Sequence, residues 1–279
     1  MIGDLGKRPP LTALQIQQVQ NFMNKTCGIS LKNKEYLINS KLGFLFFARK
    51  ISSFDEFWKK IMKSDDEGME MRQDVVDALT TNYSYFYREE EHFHYLQKLL
   101  WNHKLPHSPD GICRAWSAGC SSGQEAYNIA MLLEDAQALK LLPGPYEVRG
   151  SDVSKKVIGM ARNGRYNTAD YVRLPEHWRN RYTWRLPEGC EVKKHLRDRV
   201  KCQVESVLNP VSPRLYHFIF CRNMIIYLDE ESTRRAIDTF RKCLLPGGYL
   251  FLGHTEILND LPGFTYLVPS IYQKKGGMG

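Results

Sequence analysis

Residues 112–125 read ICRAWSAGCSSGQE. A short apolar run, 112–117, leads into a glycine- and serine-rich turn, and a long helical stretch, 124–142, follows at once. Such a strand–turn–helix unit places flexible backbone at the C-terminal edge of a parallel sheet, where a ligand can approach closely. The turn is neither G-x-G-x-x-G nor G-x-x-x-x-G-K-[ST], so it announces neither a dinucleotide nor a nucleoside triphosphate. The same alternation continues downstream. Strands are expected at 146–150, 200–204, 216–220 and 249–252, helices at 154–162 and 230–244, and a turn at Pro246-Gly247-Gly248. This pattern predicts an α/β fold whose parallel sheet is covered on both faces.

Upstream the texture is helical. Leu14, Ile16, Val19, Phe22 and Met23 recur at helical spacing, and Gly28 supplies a stop. Further helices are expected at 34–49 and at 54–63, the latter capped by Ser53; 74–79 reads as part of a fourth. The chain therefore divides into a small all-helical domain, 1–85, and a sheet domain, 86–279. An insert at about 165–204 interrupts the alternation. There Pro175 and Pro187 flank Trp178, Tyr182 and Trp184, and strand-like stretches predict an inserted antiparallel β-subdomain.

The net charge of the 279 residues is +8, and 13 Lys and Arg against 5 Asp and Glu between residues 155 and 201 account for all of it. The insert is thus either a solvated basic face or a surface for a local acidic partner. With 43% hydrophobic and 25% charged residues, disorder is excluded. Apolar runs such as 44–48 fall far short of the roughly 20 residues that span a bilayer. Residues 1–10 show no apolar leader, so no membrane insertion and a cytoplasmic location are expected. The seven cysteines have no C-x-x-C spacing and read as buried, reduced thiols. His92, His94 and His254 lack ligand spacing and read as structural, with no metal expected.

Three further stretches carry candidate chemistry. Asp152 ends a predicted strand, where a carboxylate can accept hydrogen bonds from ribose hydroxyls or simply cap the next helix. Residues 80–93, TTNYSYFYREEEHF, open a helix with an acidic first turn at the domain junction. Residues 220–229, FCRNMIIYLD, put Arg222 and Asn223 directly after an apolar strand, and a further strand ends in Gly253-His254-Thr255-Glu256.

Together these segments resemble the CheR-type chemotaxis receptor glutamate O-methyltransferases, which use S-adenosylmethionine. The matching pieces are TTNYSYFYREEEHF, WSAGCSSGQEAYNIAM, GSDVSKKVIGMARNGRY, FIFCRNMIIYLD and LLPGGYLFLGHTE, in family order from residue 80 to 256. The resemblance implies a Rossmann-like methyltransferase sheet with a helical N-terminal domain and the inserted β-subdomain. It implies that Asn82, Ser84, Arg88 and Gly119 line the cofactor pocket, that Glu125 holds the methionine ammonium and Asp152 the ribose. Ser206 and Val207 would flank the adenine, and Arg222 and Asn223 would close the pocket. Arg88 and Tyr227 would serve catalysis, placing the substrate carboxylate. The products would be glutamyl methyl esters and S-adenosylhomocysteine, and the partners the receptors' cytoplasmic helical bundle and, in receptors that carry one, an acidic C-terminal tail peptide, with no nucleic acid.

The chain departs from the family at Gln124 and Ala126, where Glu and Pro are usual. On the second helix Lys34, Lys41 and Arg49 remain for receptor docking, but Phe44 and Phe47 replace expected basic residues. Two other readings stay open: a methyltransferase acting on RNA or a protein amine, and a non-catalytic cofactor-binding regulator. The first predicts salt-sensitive RNA binding. For an amine substrate, Asp/Asn-Pro-Pro-Tyr is the usual motif, and here the position reads Arg222-Asn223-Met224-Ile225.

Overall fold

The computed structural model describes residues 9–142, 144–210, 214–256, 258 and 261–276. Most of the 1–10 segment lies outside them. Four helices come first: α1 (Ala13–Cys27), α2 (Glu35–Ala48), α3 (Phe54–Met62) and α4 (Asp66–Leu79). Thr12 and Gln15 form a capping box on α1, which ends at left-handed Gly28. Ser53 caps α3 as expected. Helix α4 begins well before residue 74, because Asp65 accepts from the Gly68 amide and starts the helix there; Gly68 in the first turn hides this start from a propensity reading. Ile16, Val19, Met23, Ile38, Leu42, Phe46, Phe57 and Val75 close one core between these helices.

The sheet domain follows with α5 (Glu90–Trp101), β1 (Cys113–Ala118), α6 (Gln124–Ala138), β2 (Tyr146–Asp152), α7 (Lys155–Asn163) and β3 (Arg165–Asn167). Next come α8 (Thr168–Arg173), α9 (Glu176–Tyr182), β4 (Thr183–Leu186), β5 (Gly189–Val192), α10 (Lys194–Arg199) and β6 (Val200–Val204). The chain ends with β7 (Tyr216–Cys221), α11 (Glu230–Cys243), β8 (Leu244–Leu252), β9 (Phe264–Val268) and β10 (Ile271–Lys274). Seven strands form one sheet in the order β6-β2-β1-β7-β8-β10-β9. The first five are parallel, and β10 pairs antiparallel with β8 and with β9. The architecture is a Rossmann-like, mainly parallel sheet with a helical N-terminal region and a separate antiparallel sheet, β3-β5-β4.

Two expectations need correction. Pro246-Gly247-Gly248 is not a free turn but a bulge inside β8: Tyr216 pairs with Leu244 and Phe218 with Tyr249, so the intervening residues loop out while pairing resumes. The insert does not reach residue 204. Residues 200–204 are β6, the edge strand of the large sheet, in parallel register with β2. The insert also lacks a core of its own. Trp178, Tyr182, Cys190, Val192 and Leu196 belong to the same apolar cluster as α6 and β1, and Trp178 Nε1 donates to Asp135 Oδ2 of α6 at 2.7 Å. Several of its cations lie over aromatic rings, Arg173 on Tyr85 at 4.1 Å, Arg185 on Tyr171 at 4.4 Å and Lys193 on Trp184 at 4.5 Å, which holds charge at the surface without burying it.

His217, buried on β7, accepts the Arg114 amide at Nδ1. Burial, helped by the nearby Arg114 charge, pushes its imidazole down to about 4. The folded chain keeps it neutral while the unfolded chain takes up a proton near 6.5, so this stability is present above 6.5 and is lost as pH falls toward 4. The expected loss from pH 7 to pH 5 is about 2 kcal/mol. Denaturant midpoints at the two pH values check it: His217→Asn keeps an acceptor for Arg114 and should show a correspondingly smaller acid loss.

Candidate active site

Strand order reverses between β1 and β7, and the main cavity lies outside the C-terminal ends of these strands, as crevice formation at such a switch point requires. After β1 the backbone turns left-handed at Gly119 (φ 79°), Ser121 (φ 49°) and Gly123 (φ 94°) before α6 starts. A Cβ on Gly119 would stand 2.9 Å from Met224 Cγ, so glycine there lets this turn and the segment after β7 wall the same space.

Glu125, in the first turn of α6, points back into the cavity. Its Oε1 accepts from the Ser117 hydroxyl at 2.6 Å and its Oε2 from Arg222 Nη1 at 3.2 Å. Burial raises its pKa, against the pull of Arg222 and the Ser117 hydrogen bond. Asp152, at the end of β2, accepts from the Ser121 amide at 2.9 Å and the Ser154 amide at 3.0 Å. Burial raises it too, and these amides hold it back. Two partly buried carboxylates lining one cavity favour a ligand that brings a cation and hydroxyls.

Arg222 is buried and engaged by the protein on every side. Its Nε donates to Glu89 Oε2 at 3.2 Å, its Nη1 to Glu125, its Nη2 to the Arg88 carbonyl, and its guanidinium lies 5.5 Å from the centre of the Phe93 ring. It lines the cavity and braces its wall. Asn223, left-handed at φ 56°, donates through Nδ2 to Glu89 Oε1 at 3.3 Å. Arg88 donates to the Tyr83 carbonyl at 3.2 Å and lies 5.6 Å from the centre of the Tyr85 ring. Both its neighbours, Tyr87 (φ 62°) and Glu89 (φ 52°), are left-handed. The Tyr87 amide is fixed by Asn128 Oδ1 at 2.8 Å. Strained non-glycine backbone gathered on one cavity is a feature of ligand clamps.

The cavity thus gathers Asn82, Ser84, Arg88, Gly119, Glu125 and Asp152, together with Ser206, Val207, Arg222, Asn223 and Tyr227. The helical domain closes one side, contributing Leu31, Lys34 and Leu79. It is anchored there because the Ser30 amide donates to the Tyr227 carbonyl at 2.8 Å and Ile29 pairs with Leu228. Lys41 is exposed and away from the cavity. Arg49 does not present a free charge for docking: it is paired with Glu70 and Asp74 of α4. Phe44 and Phe47 are exposed on α2.

Three residues of the site escaped the sequence reading. Glu89 holds Arg222 and Asn223 together. Asn128 is a polar residue in the otherwise apolar run AYNIAMLL, and that interruption was its signal. Glu256, buried at 4% exposure, accepts the amides of Asn223 (2.7 Å), Gly253 (2.7 Å) and Ile226 (3.2 Å). One carboxylate thereby ties the end of β8 to the turn that leads into the 3₁₀ helix Ile225–Tyr227.

A family description, CheR methyltransferase, SAM binding domain, matches residues 82–272. The chain belongs to the CheR methyltransferase family. Relatives match along nearly the whole length. Chemotaxis protein methyltransferase 1 of Pseudomonas aeruginosa is 33% identical over 88% of this chain and 91% of its own. Chemotaxis protein methyltransferase Cher2 of Pseudomonas putida is 32% identical over 94% and 98%, and the chemotaxis protein methyltransferase of Borreliella burgdorferi 29% over 95% of each. This CheR-family chain is an S-adenosylmethionine-dependent methyltransferase, and its cavity fits that cofactor. Beside the two carboxylates, Ser121 Oγ and Asn128 Nδ2 are buried on the cavity without a protein hydrogen-bond partner, which leaves polar atoms for a polar ligand to satisfy.

Proposed function

We propose that the protein methylates glutamate side chains of chemotaxis receptors, giving glutamyl methyl esters and S-adenosylhomocysteine. The observation that carries this reading is that one cavity is lined both by two carboxylates, Glu125 and Asp152, and by a cation and a phenol, Arg88 and Tyr227. The carboxylates suit the cofactor's ammonium and ribose hydroxyls. A cationic and a phenolic group suit an anionic nucleophile. The cofactor supplies an electrophilic methyl on a sulfonium. A glutamate is already ionised at neutral pH and needs no side-chain base, so the protein's work is to orient the carboxylate and strip its water. Arg88, held by Tyr83 and Tyr85, is restrained from neutralising the nucleophile it positions.

On this reading the exposed face of α2, with Lys41, Phe44 and Phe47, and the basic insert meet the receptor's cytoplasmic helical bundle and any acidic tail. Among the described residues no helix is long and apolar enough to cross a membrane, and we place the protein in the cytoplasm. No observation favours an RNA or amine substrate.

Labelled cofactor, receptor-containing membranes and alkali test the reading. Label on the receptor that alkali releases as methanol supports it; alkali-stable label overturns it in favour of nitrogen or nucleic acid. Tyr227→Phe removes one hydroxyl from the substrate side of the cavity. It is expected to lower kcat/KM for the receptor about tenfold while the cofactor Kd, measured by calorimetry, stays put.

A further inference from the structure

Beside the Arg222–Glu89 pair, three side chains meet: Glu89 and His92 at the start of α5, and His254 just past β8. One potential ligand atom from each lies within 4.8 Å of the other two. His92 is 1% exposed, and its two ring nitrogens have different partners. Nε2 lies 3.0 Å from Ser270 Oγ, and that hydroxyl donates its only proton to the Pro269 carbonyl at 2.7 Å. With that proton on Pro269, Ser270 is assigned as the acceptor, which puts the His92 hydrogen on Nε2 and leaves Nδ1 as a lone pair. Nδ1 has no hydrogen-bond partner and faces Glu89 Oε2 at 3.6 Å. In that tautomer an imidazole lone pair stands near a carboxylate oxygen that Arg222 also holds, and a cation bound by both would satisfy the nitrogen. The His254 ring completes the group, 4.9 Å from the His92 ring between centroids and at 79° to it.

We propose that Glu89, His92 and His254 form a binding site for a divalent transition metal of the zinc class. Two imidazoles and a carboxylate are a donor set that such ions take. The His92 Nε2–H bond to Ser270 is the outer hydrogen bond that fixes the tautomer of a ligating histidine. Exposed Glu91, whose Oε2 lies 4.0 Å from His254 Nε2, or water would supply the fourth donor. Closing to a tetrahedral ion brings donors to roughly 3.3 Å apart, and His254, half-exposed, has the freedom to make that move. Arg222 shares Glu89 but is also paired with Glu125, so the added charge is not left unopposed. The sequence spacing pointed to no metal because the third ligand comes from the far end of the sheet domain. Since Glu89 also holds Arg222 and Asn223, an ion here is coupled to the wall of the cofactor cavity.

The full chain, stripped with a chelator, is titrated with Co²⁺, whose visible absorption reports its ligands. One equivalent should bind with visible d–d bands and be displaced by Zn²⁺. His254→Ala should weaken Co²⁺ binding at least tenfold, and Ser270→Ala by about 10- to 100-fold, with unchanged circular dichroism. His94→Ala, an exposed histidine outside the group, should bind like the parent. Failure to take up one equivalent, or uptake that either His254→Ala or Ser270→Ala leaves unchanged, overturns the proposal.

Discussion

Arg222→Ala is expected to abolish measurable cofactor binding and to cost about 3–5 kcal/mol of stability, the range for breaking a buried ion pair from one side. The guanidinium donates to Glu89 and Glu125 and also to the Arg88 carbonyl. Without it two largely buried carboxylates, each 14% exposed, lose the cation that both bind. Glu125, whose pKa burial already raises, would then take up a proton more readily and lose the charge that suits an ammonium. Arg222→Lys should recover little, because a point charge cannot donate in three fixed directions. Arg222→Met combined with Glu125→Gln should regain part of the stability and none of the binding, since it removes one of the two carboxylates left without a cation and does not restore the site. Urea midpoints and calorimetric titration with the cofactor measure the two effects separately. An Arg222→Ala protein with the parent's midpoint would refute the bracing role.

Glu256→Ala is expected to destabilise by about 3 kcal/mol, because three backbone amides lose one buried acceptor at about 1 kcal/mol or more each. The larger effect is on turnover. Those amides fix the turn that carries Asn223, left-handed at φ 56°, and leads to Tyr227. A displacement of about 1 Å there lowers kcat roughly a hundredfold. Glu256→Gln keeps one carbonyl oxygen but sets an amide group against an N–H donor, so it should fall between the two. The check is kcat at a temperature where both variants remain folded, with the cofactor Kd as control. A Glu256→Ala enzyme with the parent's kcat would show that the turn holds its shape without the carboxylate.

Much of this was legible because the signals are local. The turn at 119–123 announces itself by glycine between an apolar strand and a helix, and the fold class follows from repeating that unit. Resemblance along residues 80–256 named the wall residues of the cavity, and folding brings Asn82, Glu125, Asp152, Asn223 and Tyr227 onto one space. Local signals also misled. Pro-Gly-Gly reads as a turn, yet pairing across it with Tyr216 and Phe218 carries the strand through as a bulge. Residues 200–204 look like the end of an insert until parallel pairing with β2 claims them for the sheet.

The amino-acid sequence by itself determined the order of strands and helices, the ligand-binding turn and the family, because periodicity, glycine placement and motif order are properties of neighbouring residues. Only the tertiary structure decided which charges are free and which are held. Arg49 is neutralised by Glu70 and Asp74 from another helix. Arg222, on the cavity, is held in place by Glu89 and Glu125. Glu256 gains its role from three amides, and His92 its bare nitrogen from Ser270. The reason is physical: burial and hydrogen-bond partners set what a polar group can do, and these arise between segments that no spacing along the chain brings together.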